Sequence, residues 1–115
     1  MKLEREMMRG AGPTAVLQLL SSAEMYGYEI VEKLEARSAG VLAMGQSTLY
    51  PMLYNLEAKG LIKSRQVTAE NGRPRRYYRL TRRGQKRLTV DREQWSALMD
   101  AMSALGVTPE KGGAA

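Results

Sequence analysis

Residues 47–80 restrict the fold more than any other part of the chain. Leu49, Met52, Leu53 and Leu56 recur at i, i+3, i+4 and i+7, which is one buried stripe of a helix over about residues 47–59. Gly60 ends it, because glycine takes the left-handed position after a helix at no steric cost. Two β-patterned runs follow directly, residues 61–68 and 76–80, on either side of Asn71-Gly72, a hairpin signal.

The outer face of that helix is unusual. It carries Ser47, Pro51, Tyr54 and Ala58, flanked by Thr48, Tyr50 and Asn55. Small residues, hydroxyls and an amide can lie flat in a groove, whereas an ordinary solvated face would carry Lys and Glu. Pro51 is expected near the first helical turn, where its missing N–H costs little.

Charge is concentrated in the same region. Residues 59–87 hold eleven Lys or Arg against a single acid, Glu70, whereas the whole chain carries only +6, so the rest is net acidic. Packing one sign so densely costs self-repulsion unless a polyanion relieves it, and binding then releases the polyanion's counterions. A solvated basic face is the plainer alternative. The paired Tyr77-Tyr78 inside the run and the neighbouring helix face favour nucleic acid.

Elsewhere the patterning is helical. Residues 3–21 form a first helix, expected to be weakened or bent by Gly10, Gly12 and Pro13. After a break at residues 21–24, a second helix spans residues 26–38 with Gly27, Ile30, Val31 and Leu34 on one face, and residues 40–45 are a connector. Thr81 caps a last helix over residues 82–105, and residues 106–115, with Pro109 and glycines, are expected to fray. The order helix, helix, helix, hairpin, helix defines the expected fold class: mainly α with a small β-hairpin, a winged helix-turn-helix plus a long C-terminal dimerisation helix. Residues 1–80 are the winged helix-turn-helix, 81–105 the dimerisation helix and 106–115 a flexible tail.

Several function classes drop out. There is no Cys and no His, so disulfides, thiol nucleophiles, imidazole bases and the common zinc ligands are absent. The 12 carboxylates are spread along helix surfaces with no pair that reads as an acid/base dyad. Gly10-Ala11-Gly12 fits no nucleotide fingerprint. No apolar run approaches the roughly 20 residues that cross a bilayer, and residues 2–9 are alternately charged, unlike a signal peptide. The expectation is a cytoplasmic protein that is not an enzyme, needs no cofactor or metal and does not enter the membrane.

The last helix carries a repeat of its own. Leu88, Trp95 and Met102 recur every seven residues, as do Asp91, Leu98 and Leu105 three places later. That is an a/d seam of three heptads with one polar member. Packing on the chain's own core is the alternative. Leu3, Met7 and Thr14 offer a partner stripe, and a homodimer with twofold symmetry is expected.

Four motifs in order are familiar: Tyr26-Gly27-Tyr28-Glu29-Ile30, Ser47-Thr48-Leu49-Tyr50-Pro51-Met52-Leu53, Leu56-Glu57-Ala58-Lys59-Gly60-Leu61-Ile62, and Gly72-Arg73-Pro74-Arg75-Arg76-Tyr77-Tyr78-Arg79-Leu80-Thr81. Together they resemble the PadR family of transcriptional regulators over about residues 3–105, and the single C-terminal helix is similar to its short subfamily. The resemblance implies a homodimer bound to double-stranded DNA. Gln46, Ser47, Thr48, Tyr50, Pro51, Tyr54 and Asn55 would then enter or flank the major groove, with Lys63 beside them. Gly72, Arg73, Pro74 and Arg75 would form the wing tip on phosphates or the minor groove, with Arg76 at the edge of the footprint. The chemistry agrees, since hydroxyls and Asn55 bond phosphates or base edges and arginines give charge-assisted bonds to phosphate. Tyr50 is open between groove contact and packing against the wing; Tyr77 and Tyr78 are expected to pack.

In that subfamily a tryptophan pair sandwiches flat aromatic compounds between subunits. The resemblance therefore implies a small aromatic effector at Trp95, lined by Met7, Met8, Ala11, Ala15, Gln18, Leu98, Met99 and Asp100. Methionines adapt to varied shapes and a carboxylate favours cations. Plain interface filling by Trp95 is the competing reading. The expected function is a sequence-specific DNA-binding regulator, a repressor relieved by such an effector. The rival is a winged-helix protein-interaction or RNA-associated module.

Overall fold

The computed structural model describes residues 1–108; most of the frayed tail expected at residues 106–115 lies outside the described residues. The elements run α1 (Arg5–Leu20), β1 (Met25–Tyr26), α2 (Gly27–Arg37), α3 (Gln46–Ala58), β2 (Ile62–Thr68), β3 (Pro74–Leu80) and α4 (Arg82–Ala104). The fold is the winged helix, mainly helical with one small antiparallel sheet.

α1 is continuous through Gly10, Gly12 and Pro13, contrary to the expected weak point. Packing overrides propensity here, because Met8, Val16, Leu17, Leu19 and Leu20 bury one face of the helix. The helix starts two residues later than the pattern suggests. The Leu3 N–H instead donates to the carbonyl of Val41 at 3.1 Å, tying the N-terminal segment to the α2–α3 connector.

The hairpin supplies two strands of a three-stranded sheet. β1 pairs with β3, Met25 opposite Tyr78 and Tyr26 opposite Tyr77, so the sheet order is β1-β3-β2. A two-residue strand leaves no period to read, and sequence pattern missed it. β2 and β3 pair in register from Ile62–Leu80 to Thr68–Pro74. At the turn Gly72 has φ +80, its N–H donates to Ala69 O, and the Arg73 N–H donates to Asn71 Oδ1 at 3.0 Å.

α3 meets expectation at its end, where Gly60 has φ +73. Pro51, expected near the first turn, is the sixth residue of the helix. It is exposed and lies past the first turn, so its missing N–H leaves the Ser47 carbonyl without its i→i−4 donor within the helix.

β3 hands over to α4 through one compact node. The Thr81 hydroxyl donates to Gly60 O at 2.7 Å and accepts from the Gly84 N–H at 2.9 Å, while the Thr81 N–H donates to Leu61 O. A Cβ on Gly84 would stand 1.9 Å from Leu61 O, so only glycine lets the helix lie this close.

Val16 and Leu17 from α1, Ile30 from α2, Leu49 and Leu53 from α3, Ile62 from β2 and Leu88 from α4 are fully buried together. Leu88 therefore belongs to the chain's own core, not to a seam between chains. Asp91, the polar seam member, is likewise buried inside the chain, accepting from Thr14 Oγ1 at 3.1 Å and from Arg87 Nε at 3.0 Å. Thr14 and Leu3 are thereby committed within the chain, and of the expected partner stripe only Met7 is exposed.

Candidate nucleic-acid interface

The candidate interface combines α3 with the β2–β3 wing. Leu49, Leu53 and Leu56 anchor α3 in the core, which turns Gln46, Ser47, Thr48, Pro51, Tyr54, Asn55 and Ala58 outward, all exposed. Tyr54 is 75% exposed, an unusual cost for a large aromatic ring in a monomer. The helix is capped by Gly45 with no side-chain cap bond, so no hydroxyl is consumed at its start.

Tyr50 packs, but on α2 and not on the wing as expected. Its hydroxyl lies against Gly27 at the start of α2, where a Cβ would stand only 2.7 Å away, yet 42% of the residue is exposed. The Tyr26 N–H donates to Glu29 Oε1 at 3.2 Å, securing the α2 N-terminus that Tyr50 leans on.

Alternation along the wing sorts its side chains onto two faces. Toward α3 lie Ser64, Arg76 and Tyr78. The Ser64 N–H and hydroxyl both donate to Glu57 Oε2, at 3.0 and 2.7 Å, and Arg76 Nη1 donates to Ser64 Oγ at 3.0 Å. This chain bolts the wing to the last turn of α3. Tyr78 is buried, as expected, and burial pushes its hydroxyl pKa up.

The other face carries a stack that the sequence did not disclose. Glu24 accepts two bonds from Arg65, at 2.9 and 2.6 Å; the Arg65 guanidinium lies 5.9 Å from the Tyr77 ring centre. Tyr77 meets Tyr26 edge to face at 5.5 Å, and Arg75 covers Tyr26 at 4.6 Å. The hydrogen bond from Arg65, and then its charge, hold the Glu24 carboxyl below its usual range. Arg75, expected at the wing tip, is thus half-buried on an aromatic ring. Arg73, in the turn, and Lys63, on β2, are exposed; Gly72 makes the turn and Pro74 opens β3.

The effector set is only partly brought together. Ala11 and Ala15 of α1 and Trp95 of α4 are half-buried, while Met7, Leu98 and Met99 are exposed. Gln18 is engaged at this helix pair, its Oε1 accepting from Arg92 Nε at 2.9 Å. Met8 does not join them, because it sits in the core on the side of α1 that meets Met44 and Met52. Asp100 is exposed and sits about 140° round α4 from Trp95, since each residue turns the helix by about 100°.

Among the described residues no group of His, Cys, Asp or Glu is arranged to hold a metal ion, and no helix is long and apolar enough to cross a membrane.

A winged helix whose third helix presents an uncharged, hydroxyl-rich outer face beside a cationic hairpin defines a class of regulators. The model of the PadR-like transcriptional regulator family matches residues 16–90, and the chain belongs to that family. It is 38% identical over 88 residues to the transcriptional regulator Rv3488 of Mycobacterium tuberculosis, covering 76% of this chain and 78% of that one. Among solved structures it resembles a transcriptional regulator from Clostridium thermocellum, with a TM-score of 0.79 and 29% identity over 89% of this chain and 96% of the other. Bacillus subtilis PadR, solved in complex with operator DNA, superposes with a TM-score of 0.65 and 28% identity, over 71% of this chain and 46% of that one.

Proposed function

We propose that the protein is a homodimeric repressor that binds specific double-stranded DNA through α3 and the wing. The observation that carries this reading is the outward face of α3. It exposes hydroxyls, an amide and Tyr54 but no Lys or Glu through Asn55, and Arg73 and Lys63 stand free on the adjoining wing. Such a face suits base edges in the major groove, and the wing cations suit phosphates. Work on duplex DNA would place the protein in the cytoplasm.

The dimer reading rests on α4. From Trp95 onward the helix leaves Leu98, Met99, Met102 and Leu105 exposed, an apolar stripe that a soluble monomer has no use for. Pairing these stripes about a twofold axis sets two α3 helices about 34 Å apart, or a multiple of it, on one duplex. An aromatic effector entering beside Trp95 would then shift the spacing of the two heads, a population shift between DNA-competent and other states.

Selection of bound duplexes from a random pool tests the reading, run with and without a panel of aromatic compounds. A two-part repeat with fixed half-site spacing is expected. Recovery of unenriched sequence at moderate ionic strength overturns it.

A further inference from the structure

We infer that the N-terminal segment carries a second set of phosphate contacts, on the flank of α3 opposite the wing. A cleft of about 890 Å³ runs between the start of α1 and α3. Its rim is formed by Lys2, Arg5, Arg9 and Lys59, and among the described residues no acidic one lines it. Among the described residues the ion pairs are Arg65–Glu24 and Arg87–Asp91, so none of these four cations is neutralised by a carboxylate.

In sequence this segment reads as alternating charge, with Glu4 and Glu6 between the cations. Folding sorts it. Arg5 and Arg9 are one turn apart on α1 and share a stripe, with Lys2 just before the helix on the same side of the cleft. Glu4 and Glu6 fall outside the cleft.

The position of the cleft follows from α3. At about 100° per residue, Tyr50 and Glu57, which reach α2 and the wing, share one flank of the helix. Thr48, Met52, Asn55 and Lys59, which line the cleft, lie about 180° round from them. Ser47, Pro51, Tyr54 and Ala58 point outward between the two flanks. A duplex that receives this outward face in its major groove, about 12 Å wide, presents a phosphate strand on each side of the helix. The wing meets one strand, and the rim of the cleft meets the other. The apolar floor, Met8, Met44 and Leu56, is buried core and holds the rim in place.

The inference rests on the DNA-binding reading and is tested so that the two fail separately. Affinity for a fluorescein-labelled duplex of random sequence is titrated against salt for the wild type, R73A, R5A/R9A and R5K/R9K. The slope of log affinity on log salt is expected to fall by about two units in R5A/R9A, and R5K/R9K should restore it. Unchanged slope in R5A/R9A, with a lower slope in R73A, overturns the second contact set alone. Absent or salt-insensitive binding by the wild type overturns both.

Because the chain has no Cys, R9C can carry a single tethered iron chelate as an independent readout. Backbone cleavage of the duplex near the tether supports the contact even where R5A/R9A is poorly folded. An uncut duplex, with the protein demonstrably bound, overturns it.

Discussion

The hydroxyl of Tyr50 closes over Gly27, so that this side chain of α3 rests directly on the backbone of the first residue of α2. A methyl at Gly27 would meet the Tyr50 hydroxyl at 2.7 Å and its ring carbons at 3.0 Å. Gly27→Ala is expected to push Tyr50 off this seat, costing about 1–2 kcal/mol and weakening DNA binding by displacing α3. The G27A/Y50A double variant should lose less stability than the two single changes added, because the clash has gone. Urea unfolding of the four proteins checks it, and strict additivity would show that the contact carries no strain.

Three glycines in helices should respond in opposite ways to alanine. Gly84→Ala drives a Cβ against the Leu61 carbonyl and is expected to cost about 3 kcal/mol or more. Gly10 has nothing within 4 Å, so Gly10→Ala should stabilise by about 0.5–1 kcal/mol through helix propensity. A Cβ at Gly12 would meet the flexible Met52 side chain at 2.7 Å, with Met44 in ordinary contact at 3.7 Å, so Gly12→Ala should fall near neutral once Met52 swings aside. Thermal midpoints rank the three, and a stable G84A would refute the account of the node.

Arg73 and Arg75 are separated by one residue but have different tasks. Arg73→Ala is expected to lower the salt slope of duplex binding by about one unit and to leave stability unchanged. Arg75→Ala removes a guanidinium from the Tyr26 ring and should cost about 0.5–1 kcal/mol of stability. Parallel salt titrations and unfolding curves separate the two effects; identical behaviour would contradict the stack.

Stability should have both an acid and an alkaline limb. The folded Glu24 carboxyl titrates below 4.5 because Arg65 binds it, so its contribution is present above about pH 4.5 and is lost as pH falls further. The buried Tyr78 hydroxyl titrates above 10, so its contribution is present below about pH 10 and is lost as pH rises. Glu24→Gln is expected to flatten the first limb and Tyr78→Phe the second. Unfolding free energy measured across pH gives the answer, and unaltered limbs would remove both assignments.

The exposed stripe of α4 predicts a change of assembly without a change of fold. Leu98→Glu, at a site 43% exposed in the single chain, should convert a dimer to a monomer while retaining helix content. Sedimentation velocity with circular dichroism decides it. A dimer that survives L98E places the interface elsewhere.

Much of this protein is written locally. The stripe of Leu49, Leu53 and Leu56, the stop at Gly60, the reversal at Asn71-Gly72 and the cap at Thr81 depend on neighbours within a few residues, so periodicity and turn chemistry reveal them. The same local logic exposes the outward face of α3 and the cationic wing. Other features depend on partners far along the chain. β1 exists only because Tyr77 and Tyr78 offer it an edge, and Arg75 left the wing tip for a ring contributed by Tyr26. Leu88 and Asp91 follow the seven-residue repeat of the last helix, yet the core and Thr14 claim them first. The N-terminal cations look balanced along the sequence and gather on one rim once α1 is wound and docked. Periodicity tells which residues share a face; what that face meets is decided when distant segments compete for the same buried space.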